Sequence, residues 1–151
     1  MIIYVDADAC PVKDDITDMA IRHDVQTIMV CNGGIRPHPH PLISLKIVSS
    51  GPDEADKWIA ESATNGDIVI TNDIPLAAKA IDKQAYVIRP DGSKITPHNI
   101  GNILATRDLM TDIRAANPFH QSRSAPFSKA DRAKFKQTLS HILMTKGPHH
   151  G

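Results

Sequence analysis

Five short apolar runs, separated by segments with helical periodicity, limit the folds open to this chain more than any other feature. The runs cover residues 2–5, 25–31, 42–48, 67–71 and 85–88. Each has the length of a strand, and each is nearly continuous in apolar residues, which is typical of strands buried on both faces. The alternation of strands and helices predicts an α/β fold with a mostly parallel sheet of about five strands, flanked by helices.

Prolines mark the predicted starts of the intervening helices. Proline is favoured at the first helical position, because its missing N–H would have no partner there in any case. Helices are therefore predicted from Pro11, from Pro52 to about Thr64, from Pro75, and from Thr96-Pro97 to about Ala116.

The C-terminal segment differs in charge from the rest of the chain. Residues 1–118 hold 11 of the 17 basic and 16 of the 17 acidic residues, so residues 119–151 are basic by five charges (six minus one). Ser128 and Asp131 form a capping box at the start of a last helix, and residues 117–127 are predicted to be irregular. We expect one domain over 1–151, with residues 117–151 as a basic extension packed on or beside it.

Composition narrows the cellular setting. No run approaches ~18 apolar residues, so a membrane span is not expected, and no signal peptide is recognised at the N-terminus. Two cysteines, Cys10 and Cys31, do not make a disulfide framework and are expected to be buried small side chains. A reduced, cytoplasmic protein is the expected class.

Acidic residues follow several of the predicted strands. In an open parallel sheet, ligands bind beyond the carboxyl ends of the strands, so acids placed there are candidates for function. The candidates are Asp6 and Asp8 after the first strand, Asp73 after the fourth, and Asp53, Glu54 and Asp56 in the helix after the third. Asp91 is a weaker candidate, and Asp67, at the other end of its strand, is expected to be a turn residue.

A divalent cation would explain several carboxylates at one edge. Carboxylates held close together repel, and one of them takes up a proton unless a cation neutralises them. Mg²⁺ and Mn²⁺ prefer oxygen ligands, so Asp6, Asp8, Asp53, Asp56 and Asp73 are predicted metal ligands. Helix capping remains an alternative for Asp53 and Glu54, because acids at helix N-termini are favourable without any metal.

Four motifs together resemble the YaiI/YqxD family of bacterial proteins. They are VDADACPVK, GPDEAD, TNDIPLA and APFSKADRAKF, and they span most of the chain in order. That family is similar to PIN-like domains, an α/β fold found in nucleases. PIN-domain ribonucleases hold Mg²⁺ or Mn²⁺ with acids after the first strand, on a middle helix and after a later strand.

The resemblance implies a metal-dependent nuclease, with RNA as the substrate. The implied positions are Asp6, Asp73 and one acid of the middle helix, where Asp56 is favoured over Asp53 and Glu54. Asp6 and Asp73 would be the catalytic pair, and the reaction would be phosphodiester hydrolysis.

Two other functions are compatible with the sequence. An RNA-binding or regulatory module with a vestigial metal site would fit the basic C-terminal segment equally well. A phosphatase of the haloacid dehalogenase type also begins with a strand and two aspartates, but this chain has Cys10 where that family usually has threonine or valine.

Three basic residues are candidate contacts for substrate phosphates. Lys13 lies one turn into the first helix, near the acidic edge, whereas Arg132 and Lys136 share one face of the last helix. Ordinary solvation of these side chains is the alternative. Trp58 and Phe135 are expected to be core residues.

Overall fold

A six-stranded sheet forms the centre of the computed structural model, which describes residues 1–49, 53–106 and 127–146. The strands are β1 (Ile2–Asp6), β2 (Gln26–Cys31), β3 (Ile43–Ile47), β4 (Ile68–Ile70), β5 (Tyr86–Ile88) and β6 (Lys94–Ile95). Their order is β3-β2-β1-β4-β5-β6, with the first five parallel and β6 antiparallel to β5. The predicted α/β fold is confirmed, and β6 is added to the five predicted strands.

The described helices cover the two faces of the sheet. They are α1 (Lys13–His23), α2 (Glu54–Ser62), α3 (Ile74–Asp82), α4 (100–106) and α5 (Lys129–Lys146), with a short 3-10 turn at Ala7–Ala9. The predicted continuation of α4 to Ala116 and the irregular segment 117–126 lie outside the described residues. None of the described helices is long and apolar enough to cross a membrane.

The inner strands β1, β4 and β5 are buried on both faces, as their continuous apolar runs predict, whereas the edge strand β3 is largely exposed although its run predicts burial. Ile3 and Val5 point to one face of the sheet, which α1 and α5 cover. Tyr4, between them, points to the other face, which α2, α3 and α4 cover. This alternation follows from the two-residue period of a strand, and it gives the molecule two hydrophobic cores.

Helix α5 packs into the first of these cores. Its predicted capping box is present, because the Ser128 N–H donates to Asp131 and the Asp131 N–H donates to Ser128 Oγ, both at 3.1 Å. Phe135 and Leu139 are fully buried in this core, where α5 contacts α1 and β5. The described part of the C-terminal extension therefore shares a core with the sheet.

The turn between β5 and β6 anchors α5. Thr138 Oγ1 donates to the carbonyl of Gly92 at 2.8 Å, and Gly92 has φ +92°. A Cβ at this glycine would lie 2.6 Å from the backbone carbon of Lys134. The helix can approach this closely because position 92 has no side chain.

Candidate functional site

The carboxyl ends of β1 and β4 lie side by side, because these two strands pair in parallel. Asp6 ends β1, and Asp73 lies three residues beyond the end of β4. The buried hydroxyl of Thr71 lies between them: it donates to Asp6 Oδ2 at 3.2 Å and accepts the Asp73 N–H at 3.0 Å. One side chain therefore fixes the positions of both aspartates.

Asp73 is also the N-cap of α3. Its Oδ1 accepts the Leu76 N–H at 2.8 Å, which satisfies one of the free donors at the start of the helix. Pro75 follows within the first turn. The TNDIP sequence thus ends a strand, starts a helix and holds one carboxylate at the edge.

Asp56 brings a third carboxyl group to this edge. It lies in the first turn of α2, and its side chain is hydrogen-bonded to that of Asp73. Burial raises the pKa of Asp56 to about 7, helped by that hydrogen bond and by the negative charges of Asp73, Asp6 and Asp53. Two ionised carboxylates cannot hydrogen-bond to each other, and the raised pKa of Asp56 is consistent with a proton on its carboxyl group in this contact.

Asp6 lies near Asp56 and Asp73 and is partly buried. Burial raises its pKa, and the negative charges of Asp73 and Asp8 act in the same direction. The hydrogen bond from Thr71 opposes them, because it stabilises the charged form. Asp6, Asp56 and Asp73 come from three separate parts of the chain, and we refer to these three residues as the carboxylate cluster.

The other predicted acids lie at the margin of the carboxylate cluster. Asp53 is exposed, precedes α2 and makes no capping hydrogen bond with its side chain. Asp8 is exposed, and its Oδ2 accepts the Asn32 N–H at 2.9 Å, which ties the turn after β1 to the loop after β2. Glu54 lies on a different side of α2, where it lines a cleft with Lys57 and Trp58.

The donor set suits a hard divalent cation, although the described residues do not form a finished metal site. Among them, no three His, Cys, Asp or Glu side chains already converge as a group that could hold an ion. The carboxylate cluster offers only oxygen donors, which Mg²⁺ and Mn²⁺ prefer. A cation bound here would favour the ionised form of Asp56, whose pKa neighbouring negative charges help to raise.

The predicted phosphate-binding residues have protein partners. Lys13 Nζ donates to the carbonyl of Ala7 at 3.3 Å, in the turn that follows Asp6. Arg132 and Lys136 both face Asp15 of α1, with N–O distances of 3.2 and 3.9 Å. The two cationic side chains are about half exposed, whereas the Asp15 carboxylate is only 16% exposed, so both pairs are partly buried and help to hold α5 against α1.

Two further acids serve turns. Asp67, at the amino edge of the sheet, accepts hydrogen bonds from the N–H groups of Ile2 and Thr64 and from the Thr64 hydroxyl. Asp91 accepts both the N–H and the hydroxyl of Ser93, and these bonds lower its pKa although burial alone would raise it.

Both cysteines are free and buried. Burial raises the pKa of the Cys10 thiol to about 11, so it stays protonated and unreactive at neutral pH.

The sequence patterns did not identify Thr71 as a site residue, and they predicted that Trp58 lies in the core. Thr71 stands two residues before Asp73, at the end of a buried strand. A buried polar side chain needs a hydrogen-bond partner, so this position in the sequence could have identified Thr71. Trp58 is only half-buried, and its ring lines the cleft beside α2 rather than lying wholly in the core.

Comparison with protein-family models gives one match across nearly the whole chain. The model described as "Uncharacterized BCR, YaiI/YqxD family" matches residues 4–145. The chain belongs to the YaiI/YqxD family. No solved structure matches it, so the similarity to PIN-like domains stays a prediction.

Curated relatives of the chain are named UPF0178 proteins. A UPF0178 protein of Ruegeria pomeroyi is 54% identical over 142 residues, covering 93% of this chain and 92% of the relative. One from Cereibacter sphaeroides is 53% identical over 141 residues, covering 93% and 88%. One from Rhodospirillum centenum is 43% identical over 144 residues, covering 93% and 94%.

Proposed function

We propose that this protein is a divalent-metal-dependent nuclease that hydrolyses phosphodiester bonds of RNA at the carboxylate cluster. The observation that carries the proposal is the position of Asp6 and Asp73 at neighbouring strand ends, joined through Thr71, with Asp56 near enough for their charges to raise its pKa. Acids from three separated parts of the chain therefore lie at the edge where α/β sheets bind ligands.

Fold stability alone does not account for this arrangement. Asp73 needs only one oxygen to cap α3, and Asp56 caps nothing through its side chain in the described contacts. A carboxyl group beside other carboxylates costs folding energy at neutral pH, because it must either repel them or take up a proton. Acids whose pKa is raised by burial and by neighbouring charges are frequent at functional sites.

Asp6, Asp56 and Asp73 would hold Mg²⁺ or Mn²⁺, with Asp53 and Asp8 at the margin. When bound, such a cation supplies an activated water and neutralises phosphate charge. Thr71 keeps Asp6 and Asp73 in place through its two hydrogen bonds. Lys13, whose ammonium lies at the Ala7 carbonyl beside Asp6, is placed to contact a substrate phosphate.

We also propose that the protein works in the cytoplasm, where its two buried thiols would stay reduced. The resemblance to PIN-like nucleases supports RNA as the substrate class. Because a fold alone does not specify an activity, the proposal depends on the carboxylate cluster.

Cleavage of labelled single-stranded RNA tests the proposal. We expect cleavage with Mn²⁺, none with chelator, and a loss of at least about 100-fold in Asp6→Asn and Asp73→Asn. Asparagine caps helices as well as aspartate does, so α3 should remain intact in Asp73→Asn. Asp82→Asn, at the far end of α3, is the matched control and should cleave as the wild type does.

RNA binding without cleavage by any variant would favour the regulatory or RNA-binding module instead. Full activity in Asp6→Asn or Asp73→Asn would show that the reaction occurs elsewhere on the protein.

A further inference from the structure

A cleft of about 330 Å³ opens between the C-terminal half of β3 and one side of α2. This volume falls at the lower end of the ~300–1,000 Å³ that is usual for sites of small ligands. Its lining includes Lys46, Lys57, Trp58, Glu54 and Glu61. We refer to these five residues as the Trp58 cleft.

Trp58 presents its ring to the Trp58 cleft in a fixed orientation. Tyr4, in the core below, contacts the indole edge to face, with centroids 5.8 Å apart and ring planes at 61°. The ammonium of Lys46 lies 5.6 Å from the indole centroid. Lys46 is exposed and belongs to the edge strand β3, so its position over the ring can be vacated.

Helix α2 carries residues of both the carboxylate cluster and the Trp58 cleft. Asp56 and Trp58 are two residues apart on α2, about 3 Å along the helix axis and on nearly opposite sides of it. Glu54 lines the cleft in the same helical turn that carries Asp56.

We infer that the Trp58 cleft binds one base of a single-stranded nucleic acid whose scissile phosphate lies on the other side of α2, at the carboxylate cluster. This inference rests on the proposed function and specifies how its substrate is held. The base stacks on the indole of Trp58, and the ammonium groups of Lys46 and Lys57 contact the backbone phosphates. Glu54 and Glu61 accept hydrogen bonds from the exocyclic amino group of an adenine, cytosine or guanine.

A base stacked on the indole face of Trp58 is bound more strongly there than the ammonium of Lys46. Stacking of a base on an aromatic side chain contributes roughly 5- to 150-fold in affinity. An exposed cation over such a ring contributes only about 2- to 5-fold. The base therefore displaces the ammonium of Lys46, which is then free to pair with a phosphate.

Trp58 is the single tryptophan of the chain, so its fluorescence reports directly on the Trp58 cleft. The experiment titrates the full-length protein, in chelator to prevent cleavage, with single-stranded RNA and DNA oligonucleotides and with matched strands that lack bases. We expect saturable quenching by strands that carry bases and much weaker quenching by abasic strands. The RNA and DNA titrations show which sugar the cleft accepts.

Variants extend the test through the anisotropy of a labelled oligonucleotide. We expect Trp58→Leu, which keeps an apolar side chain against Tyr4, to bind at least about 5-fold more weakly. Lys46→Ala combined with Lys57→Ala should lower the salt dependence of binding, with a slope reduced by about 1 for each lost phosphate contact. Lys94→Ala, on the opposite edge strand β6, is the matched control and should bind as the wild type does.

Three results would overturn the inference: wild-type affinity in Trp58→Leu, oligonucleotide binding that leaves Trp58 fluorescence unchanged, or no binding at all. If Trp58→Leu does not fold, the wild-type titration and the lysine variants decide whether the Trp58 cleft binds a base. Mn²⁺-dependent cleavage without any role of Trp58 would reject the cleft and leave the nuclease intact. Binding that depends on Trp58, without cleavage by the wild type, would reject the nuclease and leave the cleft intact.

Discussion

The carboxyl group of Asp56 is the most perturbed acid at the candidate site. Its pKa in the folded protein is about 7, against an ordinary value of 3.8. The folded state therefore binds a proton more tightly than the unfolded chain does. The stability that this proton contributes is complete below the unfolded pKa and is lost as the pH rises through the folded pKa.

We predict that the metal-free protein loses stability between about pH 5 and about pH 8 because of Asp56. Thermal unfolding in chelator across this range measures the effect. In Asp56→Asn, which has no proton to lose at this position, the decrease should be smaller than in the wild type. An identical pH dependence in both proteins would contradict the assigned pKa of Asp56.

Thr71 connects two members of the carboxylate cluster through one hydroxyl. Thr71→Val keeps the shape but leaves the partly buried Asp73 N–H without its partner and removes the donor to Asp6. We expect a loss of about 1–3 kcal/mol in the free energy of unfolding by urea, together with weaker Mn²⁺ binding. Thr71→Ser retains the hydroxyl and should retain the Mn²⁺ affinity, which a purely steric role for Thr71 would not predict.

At the scale of elements, the turn after β5 and helix α5 depend on each other. Gly92 has a positive φ, and a Cβ there would meet the backbone of Lys134 and Phe135 at 2.6–2.7 Å. Backbone atoms of a helix cannot move aside as the end of a flexible side chain can. An alanine at position 92 must therefore displace α5 from the sheet.

We predict that Gly92→Ala lowers the free energy of unfolding more than Gly66→Ala does. Gly66 has a similar φ of +87°, but no atom lies within 4 Å of its would-be Cβ. Both variants carry backbone strain of about 1–3 kcal/mol, and only Gly92→Ala adds about 1–3 kcal/mol of steric overlap. Equal losses in urea unfolding would mean that α5 does not depend on this close approach.

At the scale of the whole molecule, the parallel sheet explains how distant acids meet. β1 and β4 are neighbours although 61 residues, 7–67, separate the end of β1 from the start of β4. Continuous apolar runs predict the parallel strands, and the rule for their carboxyl ends predicts one acidic edge from the sequence alone. The edge holding Asp6 and Asp73 was therefore predictable.

Other features depend on tertiary contacts that no local pattern encodes. Strand β6 has only two residues, too few to show a period of two. The choice among Asp53, Glu54 and Asp56 depends on how α2 is rotated against α3. The pairing of Arg132 and Lys136 with Asp15 depends on α5 crossing α1. Sequence patterns predict which elements form, whereas such contacts follow from how the elements pack.

Equilibrium binding of Mn²⁺, followed by the loss of the electron paramagnetic resonance signal of the free ion, tests the central claim most directly. We predict that the wild type binds Mn²⁺ more tightly as the pH rises, because the cation replaces the proton of Asp56. Asp6→Asn and Asp73→Asn should each weaken binding by at least about tenfold, whereas Asp82→Asn should not. No Mn²⁺ binding by the wild type, or equal affinity in all four proteins, would contradict a metal site at the carboxylate cluster.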